Sequence, residues 1–413
     1  MEGRLHDREG QTGQARRGGI VSRLLTLGVL SISALMVLAA CGPDVDKPYS
    51  TTSPASTTAD DIQGLYKLVF WLSLIVFVGV QFAVVYISMR YRRKRSDTRR
   101  PPQIHGNKRL EIIWTVIPAV VLLVLLVPTV SMIFDHDAQA QEPDIEIDAY
   151  GKQWWWEFHY GADVTQGGES LDVVTANEIV VPVGQNIVFN LQSNNVIHSF
   201  WVPRLSGKLD VMPGHVNKLS ITPTETGEFY GECAEYCGAQ HAWMRFKITV
   251  VTQEEFYNWV NNWRTSPATT AQQGAGDGVL QAPQTFQVCL ACHTVNGMEG
   301  ANALQGINAP QNMGPDLTMV ACRESIAAGA IEMTEENLRN WLRDPGAVKP
   351  GNYMATQIGP GGLELTDEQL DELVDYIFSM QPEGGCTAAD GWSGGGGAAT
   401  PEASPMATPE TGS

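Results

Sequence analysis

Between Gly231 and Met244 the chain reads Gly-Glu-Cys-Ala-Glu-Tyr-Cys-Gly-Ala-Gln-His-Ala-Trp-Met, so two thiols, an imidazole and a thioether (Cys233, Cys237, His241 and Met244) share one short stretch. A second imidazole, His198 in Val-Ile-His-Ser-Phe-Trp-Val-Pro, precedes them at a predicted strand end. Soft sulfur donors combined with imidazole favour copper over magnesium, calcium or manganese. A mononuclear blue-copper site needs one thiolate, so a second favours two copper ions bridged by both sulfurs. Two other readings compete. A Cys2His2 zinc site leaves Met244 unexplained, and a disulfide across three intervening residues would be strained. Further on, Val288-Cys289-Leu290-Ala291-Cys292-His293 has the C-x-x-C-H form of haem attachment. Both thiols would form thioethers to haem, and His293 would be the proximal ligand. A thioredoxin-like redox pair is the alternative, but it gives the adjacent histidine no task and lacks a βαβ context here.

The first constellation resembles subunit II of cytochrome c oxidase, whose pattern Cys-x-Glu-x-Cys-Gly-x-x-His-x-x-Met, after an upstream His-Ser-Phe, is present in full. The resemblance implies His198, Cys233, Cys237, His241 and Met244 as ligands of a dinuclear copper centre, completed by the Glu235 carbonyl. It also implies a magnesium ion reached by the Glu235 side chain at the border with the catalytic subunit. Gly151-Lys152-Gln153-Trp154-Trp155-Trp156 matches a second family segment in which Trp154 stands where electrons enter the copper domain. Trp155 and Trp156 read as packing residues. Leu110-Glu111-Ile112-Ile113-Trp114-Thr115-Val116-Ile117-Pro118 resembles the start of the family's second helix, which places Glu111 at the mouth of a proton channel. Read from the residues alone, Glu111 would anchor a helix end. One departure stands out: His215 follows Pro213-Gly214 where the family commonly has arginine.

The later motif agrees with haem through its neighbours. Gly314-Pro315-Asp316-Leu317 resembles a segment of class I cytochromes c, and Lys349-Pro350-Gly351-Asn352-Tyr353-Met354 resembles their axial-methionine region. Met354 is therefore the expected axial sulfur, with Met313 and Met380 as packing or helix-end residues. Together the parts resemble the bacterial caa-type arrangement, a subunit II fused to its own cytochrome c. That resemblance implies electron flow from covalently bound haem c to copper and on to subunit I, where oxygen becomes water and protons are pumped. Implied partners are subunits I and III, the lipid membrane, and a donor that is reduced cytochrome c or an upstream quinol-oxidising complex. A tethered electron carrier or copper-delivery module is the rival reading, and the copper subunit of a nitric oxide reductase is a second.

The elements that must position these residues are legible along the chain. Arg16, Arg17 and Arg23, an apolar run from Leu24 to Ala40, and then Leu38-Ala39-Ala40-Cys41 have the layout of a lipoprotein signal peptide over 1–40, with a lipid anchor at Cys41. A third membrane span is the alternative. An external segment over 41–64 follows, then a transmembrane hairpin over 65–135. Its apolar stretches, Leu65–Met89 and Ile112–Phe134, can each cross a hydrocarbon core of roughly 30 Å. Between them the basic cluster from Arg90 to Arg95, with Arg99, Arg100, Lys108 and Arg109, predicts a cytoplasmic loop near 90–110. Both redox domains would then lie on the external face of a bacterial plasma membrane.

Alternating and β-branched segments over 144–252, among them Glu178–Pro182 and Phe246–Val251, predict a cupredoxin sandwich. A helix and flexible linker are expected over 253–278, a cytochrome c domain over 279–384, and a disordered tail over 385–413. Thr366-Asp367-Glu368-Gln369 is a capping box opening a helix whose Leu370, Leu373, Val374, Ile377 and Phe378 recur with helical period. The fold class is thus multidomain: a two-helix transmembrane hairpin, an all-β cupredoxin sandwich and an all-α class I cytochrome c domain. A net charge of −18 argues against nucleic acid as a partner. Of seven cysteines, Cys322 and Cys386 are left over, and in an oxidising compartment they are expected to form a disulfide.

Overall fold

The structure is a computed structural model that describes residues 49–92, 106–161, 173–265, 282–295 and 314–381, with a few further positions that include Cys386. The signal peptide, Cys41, most of the basic cluster, the linker from 266, Met313 and the tail beyond Cys386 lie outside the described residues.

Two long apolar helices open the described chain, α1 (Thr57–Arg90) and α2 (Lys108–Gln139). Each is long and apolar enough to cross a membrane. Helix α1 begins eight residues before its apolar stretch. Ser56 caps it by accepting from the Ala59 amide, and the first turn docks on the β-domain, where Thr58 Oγ1 donates to the Ser220 carbonyl at 3.1 Å. The preceding strap is tied down as well, since Arg204 Nε donates to the Ser53 carbonyl at 2.9 Å. An N-cap and tertiary contacts therefore extend the helix beyond what hydrophobicity marks.

The central domain packs two five-stranded sheets face to face. One has the order β10 (Asn217–Ile221), β7 (Ile187–Ser193), β1 (Ile145–Lys152), β2 (Trp155–Tyr160), β5 (Val174–Ala176). The other has the order β6 (Glu178–Pro182), β12 (Arg245–Val251), β11 (Gly227–Cys233), β8 (His198–Trp201), β9 (Leu209–Val211). A small hairpin, β3 (Thr165–Gln166) with β4 (Glu169–Ser170), stands apart from both. β1–β7 and β12–β6 are parallel, and the remaining ladders of the two sheets are antiparallel. Inward positions alternate along β1 and β7, and Trp156, Phe158, Phe189, Phe200, Phe229 and Phe246 fill the space between sheets. Helix α3 (Gln253–Thr265) closes the domain by burying Phe256, Trp259, Val260 and Trp263, which recur on one helical face.

The last domain is helical around one apolar cluster. A 3-10 helix at Gln284–Ala291 carries the C-x-x-C-H segment and is followed by α4 (Glu335–Arg343), the short α5 (Pro345–Val348) and α6 (Asp367–Ser379). A two-residue ladder, β13 (Ser325–Ile326) with β14 (Ile331–Glu332), and an isolated bridge between Ile358 and Leu363 are its β features among the described residues. The Thr366–Gln369 capping box is formed in both directions. Leu370, Leu373, Val374 and Ile377 are buried against Phe286, Leu338 and Leu342, and Phe378 packs at the edge. Cys322 and Cys386 are joined by a disulfide with their Cα atoms 5.4 Å apart.

Candidate functional site

Five donors converge on the loop that joins β11 to β12. Cys233 ends β11 and Met244 directly precedes β12, so the sheet fixes both ends of the loop, and the Cys233 amide bonds the Met244 carbonyl at 3.0 Å. Within it Cys233 Sγ and Cys237 Sγ stand 3.8 Å apart as free thiols. Cys237 Sγ is also 3.7 Å from His241 Nδ1 and 3.8 Å from Met244 Sδ. His198 comes from the adjacent β8 and points Nδ1 at Cys233 Sγ from 3.8 Å. The sulfurs and the His198 ring nitrogen lie within 4.8 Å of one another. The Glu235 carbonyl is 3.2 Å from Cys233 Sγ, while its side chain is exposed.

The surroundings orient these donors. His198 is fully buried, and its Nε2 meets Asn195 Oδ1 at 3.0 Å, which leaves Nδ1 to face the sulfurs. Its ring lies where a side chain on residue 151 would sit, since a Cβ built on Gly151 falls 2.8 Å from His198 Cδ2. The motif glycine is therefore a space requirement of the histidine. The hydrogen bond between the two thiols pulls Cys233 below the ordinary thiol range, and the same bond pushes Cys237 up. Two adjacent sulfurs, two imidazoles, a thioether and a carbonyl suit copper.

Trp154 joins this loop from the β1–β2 turn. Its indole Nε1 donates to the Cys237 carbonyl at 2.9 Å, and Gln153 Nε2 reaches the same oxygen at 2.7 Å. Trp155 and Trp156 are buried. Glu157, between them and β2's end, is buried too, paired with Lys152 at 2.6 Å and His159 at 2.8 Å.

A cavity of about 270 Å3 where the helical domain faces the copper domain is lined by Cys289, Cys292, His293, Gly314 and Met354, with Trp154 and Tyr353 also on its wall. His293 Nδ1 donates to the Pro315 carbonyl at 2.7 Å, which leaves Nε2 as the ring's remaining donor atom toward a metal. Burial pushes the imidazole below its ordinary range, the Pro315 bond opposes this, and Arg323 adds to it. A Cβ on Gly314 would fall 2.5 Å from His293 Cε1, so this motif glycine too is set by a ring. Met354 lines the cavity, whereas Met380 is fully buried in the apolar cluster. An apolar cavity with two thiols and an oriented imidazole on its wall fits haem.

Glu111 is not brought near either site. It stands on the first turn of α2, with roughly 40 Å of helix between it and the β-domain. His215 is exposed on the loop before β10. Two contributors lie in the segment read as the axial-methionine region, where the sequence assigns a role to Met354 alone. Tyr353 stacks on Trp154, with ring centroids 5.0 Å apart and planes at 17°. Lys349 is buried against the copper loop, and burial, reinforced by Arg245 and opposed by Cys237, pulls it down to about 7.

Three family models match the chain. "Cytochrome C oxidase subunit II, transmembrane domain" covers residues 50–132, "Cytochrome C oxidase subunit II, periplasmic domain" covers 145–251, and "Cytochrome c" covers 280–381. Cytochrome c oxidase subunit 2 of Alkalihalophilus pseudofirmus is 35% identical over 321 residues, which span 75% of this chain and 85% of that one. The same subunit of Bacillus sp. strain PS3 is 34% identical over 366 residues, spanning 84% of this chain and 95% of its own. A crystal structure of the periplasmic domain of subunit II of cytochrome oxidase from Bradyrhizobium japonicum shares 37% identity, with a TM-score of 0.25, covering 29% of this chain and 93% of that one. With two membrane-type helices, a cupredoxin-like sandwich and a haem-binding domain in one chain, this protein belongs to the cytochrome c oxidase subunit II family, in the form that carries a C-terminal cytochrome c domain.

Proposed function

We propose that this chain receives electrons at a covalently bound haem c, passes them to a dinuclear copper centre, and hands them to the oxygen-reducing subunit I of a proton-pumping terminal oxidase. The observation that carries this reading is the convergence of both thiols, both imidazoles, Met244 and the Glu235 carbonyl where the loop from Cys233 to Met244 meets the start of β8. When bound, the two groups supply one-electron redox chemistry. Cys233 and Cys237 would bridge the copper pair, with His198, His241, Met244 and the Glu235 carbonyl completing the shell. Asn195 holds the His198 ring, so this ligand is oriented before metal arrives. Cys289 and Cys292 would form the thioethers, His293 would be the proximal ligand and Met354 the axial sulfur.

Two carboxylates have roles away from these shells. The exposed Glu235 side chain would reach magnesium at the subunit I border, and Glu111 would stand at the entrance of a proton channel. In this reading both domains occupy the external face of a bacterial plasma membrane, Cys41 carries a lipid, and subunit III, an external cytochrome c or a quinol-oxidising complex are further partners. Purification of the chain from its native membranes tests the core of the proposal. The expected outcome is copurification with a haem-bearing subunit I and reduction of haem c before copper after rapid mixing with donor. A chain that purifies alone with its copper and haem would overturn it in favour of a tethered carrier.

A further inference from the structure

The helical domain meets the copper domain through a small set of contacts. Lys349 reaches out of the helical domain, is 4% exposed, and its Nζ donates to the carbonyls of Trp243 at 3.3 Å, Trp154 at 3.4 Å and, within its own domain, Ala327 at 3.0 Å. Three acceptors match the three donors of an ammonium group. Ala327, Ala328 and Gly329 are successive residues at positive φ (56°, 59° and 76°). Such conformations persist only where surroundings over-determine them. Lys349 holds the first carbonyl, and the Arg245 amide approaches the second at 3.4 Å. The Glu178 carboxylate binds the amides of Glu324 at 3.1 Å and Ser325 at 2.9 Å, and Lys247 pairs with Glu324.

Four residues beyond Lys349, Tyr353 lays its ring on Trp154, whose indole is hydrogen-bonded to the Cys237 carbonyl. Tyr353 and Trp154 also line the haem cavity, beside Met354. We infer that Lys349 is a positioning residue that docks the helical domain on the copper loop, and that the Tyr353–Trp154 stack is the contact through which electrons cross between the two domains. The inference rests on the haem-to-copper order proposed above. It makes Tyr353 a part of the electron path contributed by the fused domain. It also means that the Trp154 face is covered from within the chain, so an external donor delivers to the helical domain.

The test uses the whole oxidase in detergent. Transient absorption would follow haem c oxidation and copper reduction in the wild type, Tyr353→Phe, Tyr353→Leu and Lys349→Met. Tyr353 is 49% exposed, so its replacement should leave the fold intact. Tyr353→Phe keeps the stack and should transfer at the wild-type rate. Tyr353→Leu should slow transfer roughly tenfold or more, as displacement of a positioned group does. Copper spectra should stay unchanged in both variants, and rates are compared at equal haem content because Tyr353 lines the haem cavity. Lys349→Met should slow transfer and also raise hydrogen exchange over residues 324–329, a readout that needs neither cofactor. Wild-type rates in Tyr353→Leu, or equal slowing in Tyr353→Phe, would overturn the assignment of the stack. Unchanged exchange in Lys349→Met would overturn the docking role. If the wild type itself shows no haem-to-copper transfer, the proposed function fails, and the exchange data still decide the docking.

Discussion

Cys233 and Cys237 are four positions apart in the chain and 3.8 Å apart at sulfur, close enough for both to bridge one metal pair. Replacing Cys233 by serine removes a bridge that a hydroxyl cannot supply. Cys233→Ser should therefore abolish the mixed-valence two-copper signal in electron paramagnetic resonance and lower the copper content. An intact signal in the variant would show that the sulfurs do not bridge. The two methionines of the helical domain separate ligation from packing. Met354 lines the cavity, so Met354→Ala should remove the sulfur-to-iron absorption band and lower the haem potential. Met380 is fully buried in the apolar cluster. Met380→Ala should keep the band and cost about 2–5 kcal/mol of stability, read by chemical denaturation. The reverse pattern would exchange the two roles.

At the scale of elements, β1 and β2 are joined by a buried ion pair that gives the sandwich a pH dependence. Burial alone would raise Glu157, but the His159 hydrogen bond and the Lys152 charge outweigh it, and the carboxyl is held below its usual range. A carboxyl lowered on folding stabilises the native state above its unfolded pKa, and that contribution is lost as pH falls through the folded one. Glu157→Gln leaves Lys152 buried without a charge partner and should cost roughly 3–5 kcal/mol at neutral pH. Urea titrations of the variant and wild type should converge below the ordinary carboxylate range; a constant gap would assign the loss to packing. The sequence marks strands but not their partners. Period-two burial reads the same for a parallel or an antiparallel neighbour, so β6 and β12 are visible over Glu178–Pro182 and Phe246–Val251 while their parallel pairing is not. The ligand loop was legible because its chemistry sits within fourteen residues. The first two turns of α1 were not, because Thr57–Gly64 is polar and its helicity comes from the Ser56 cap and from docking on the sheet. The segment holding Lys349 and Tyr353 was marked only for Met354, and their reach to the copper domain was not, since contacts across nearly two hundred residues leave no local period.

For the whole molecule the described chain from residue 49 falls in one compact unit, and the haem-binding part of it leans on its neighbour. Its apolar cluster is small beside that of the sandwich, and part of its surface is spent on the copper domain: Met319 and Cys322 pack with the sandwich core. The Cys322–Cys386 disulfide compensates by tying the segment after α6 back to the 3-10 turn at Val320–Cys322, across 64 residues of sequence. In the loop-entropy model, closing a loop of this size removes about 4 kcal/mol of freedom from the unfolded chain. Converting both cysteines to serine should therefore lower the denaturation midpoint of the haem-binding domain while leaving the copper signal in place. The same loss should follow mild reduction of the wild type, and the double variant should no longer respond to reductant. Peptide mapping without reductant checks the pairing itself, since fragments holding Cys322 and Cys386 must travel together. Recovery of both as free thiols would remove the cross-link from the fold and leave the domain held by Lys349, Glu178 and its apolar cluster alone.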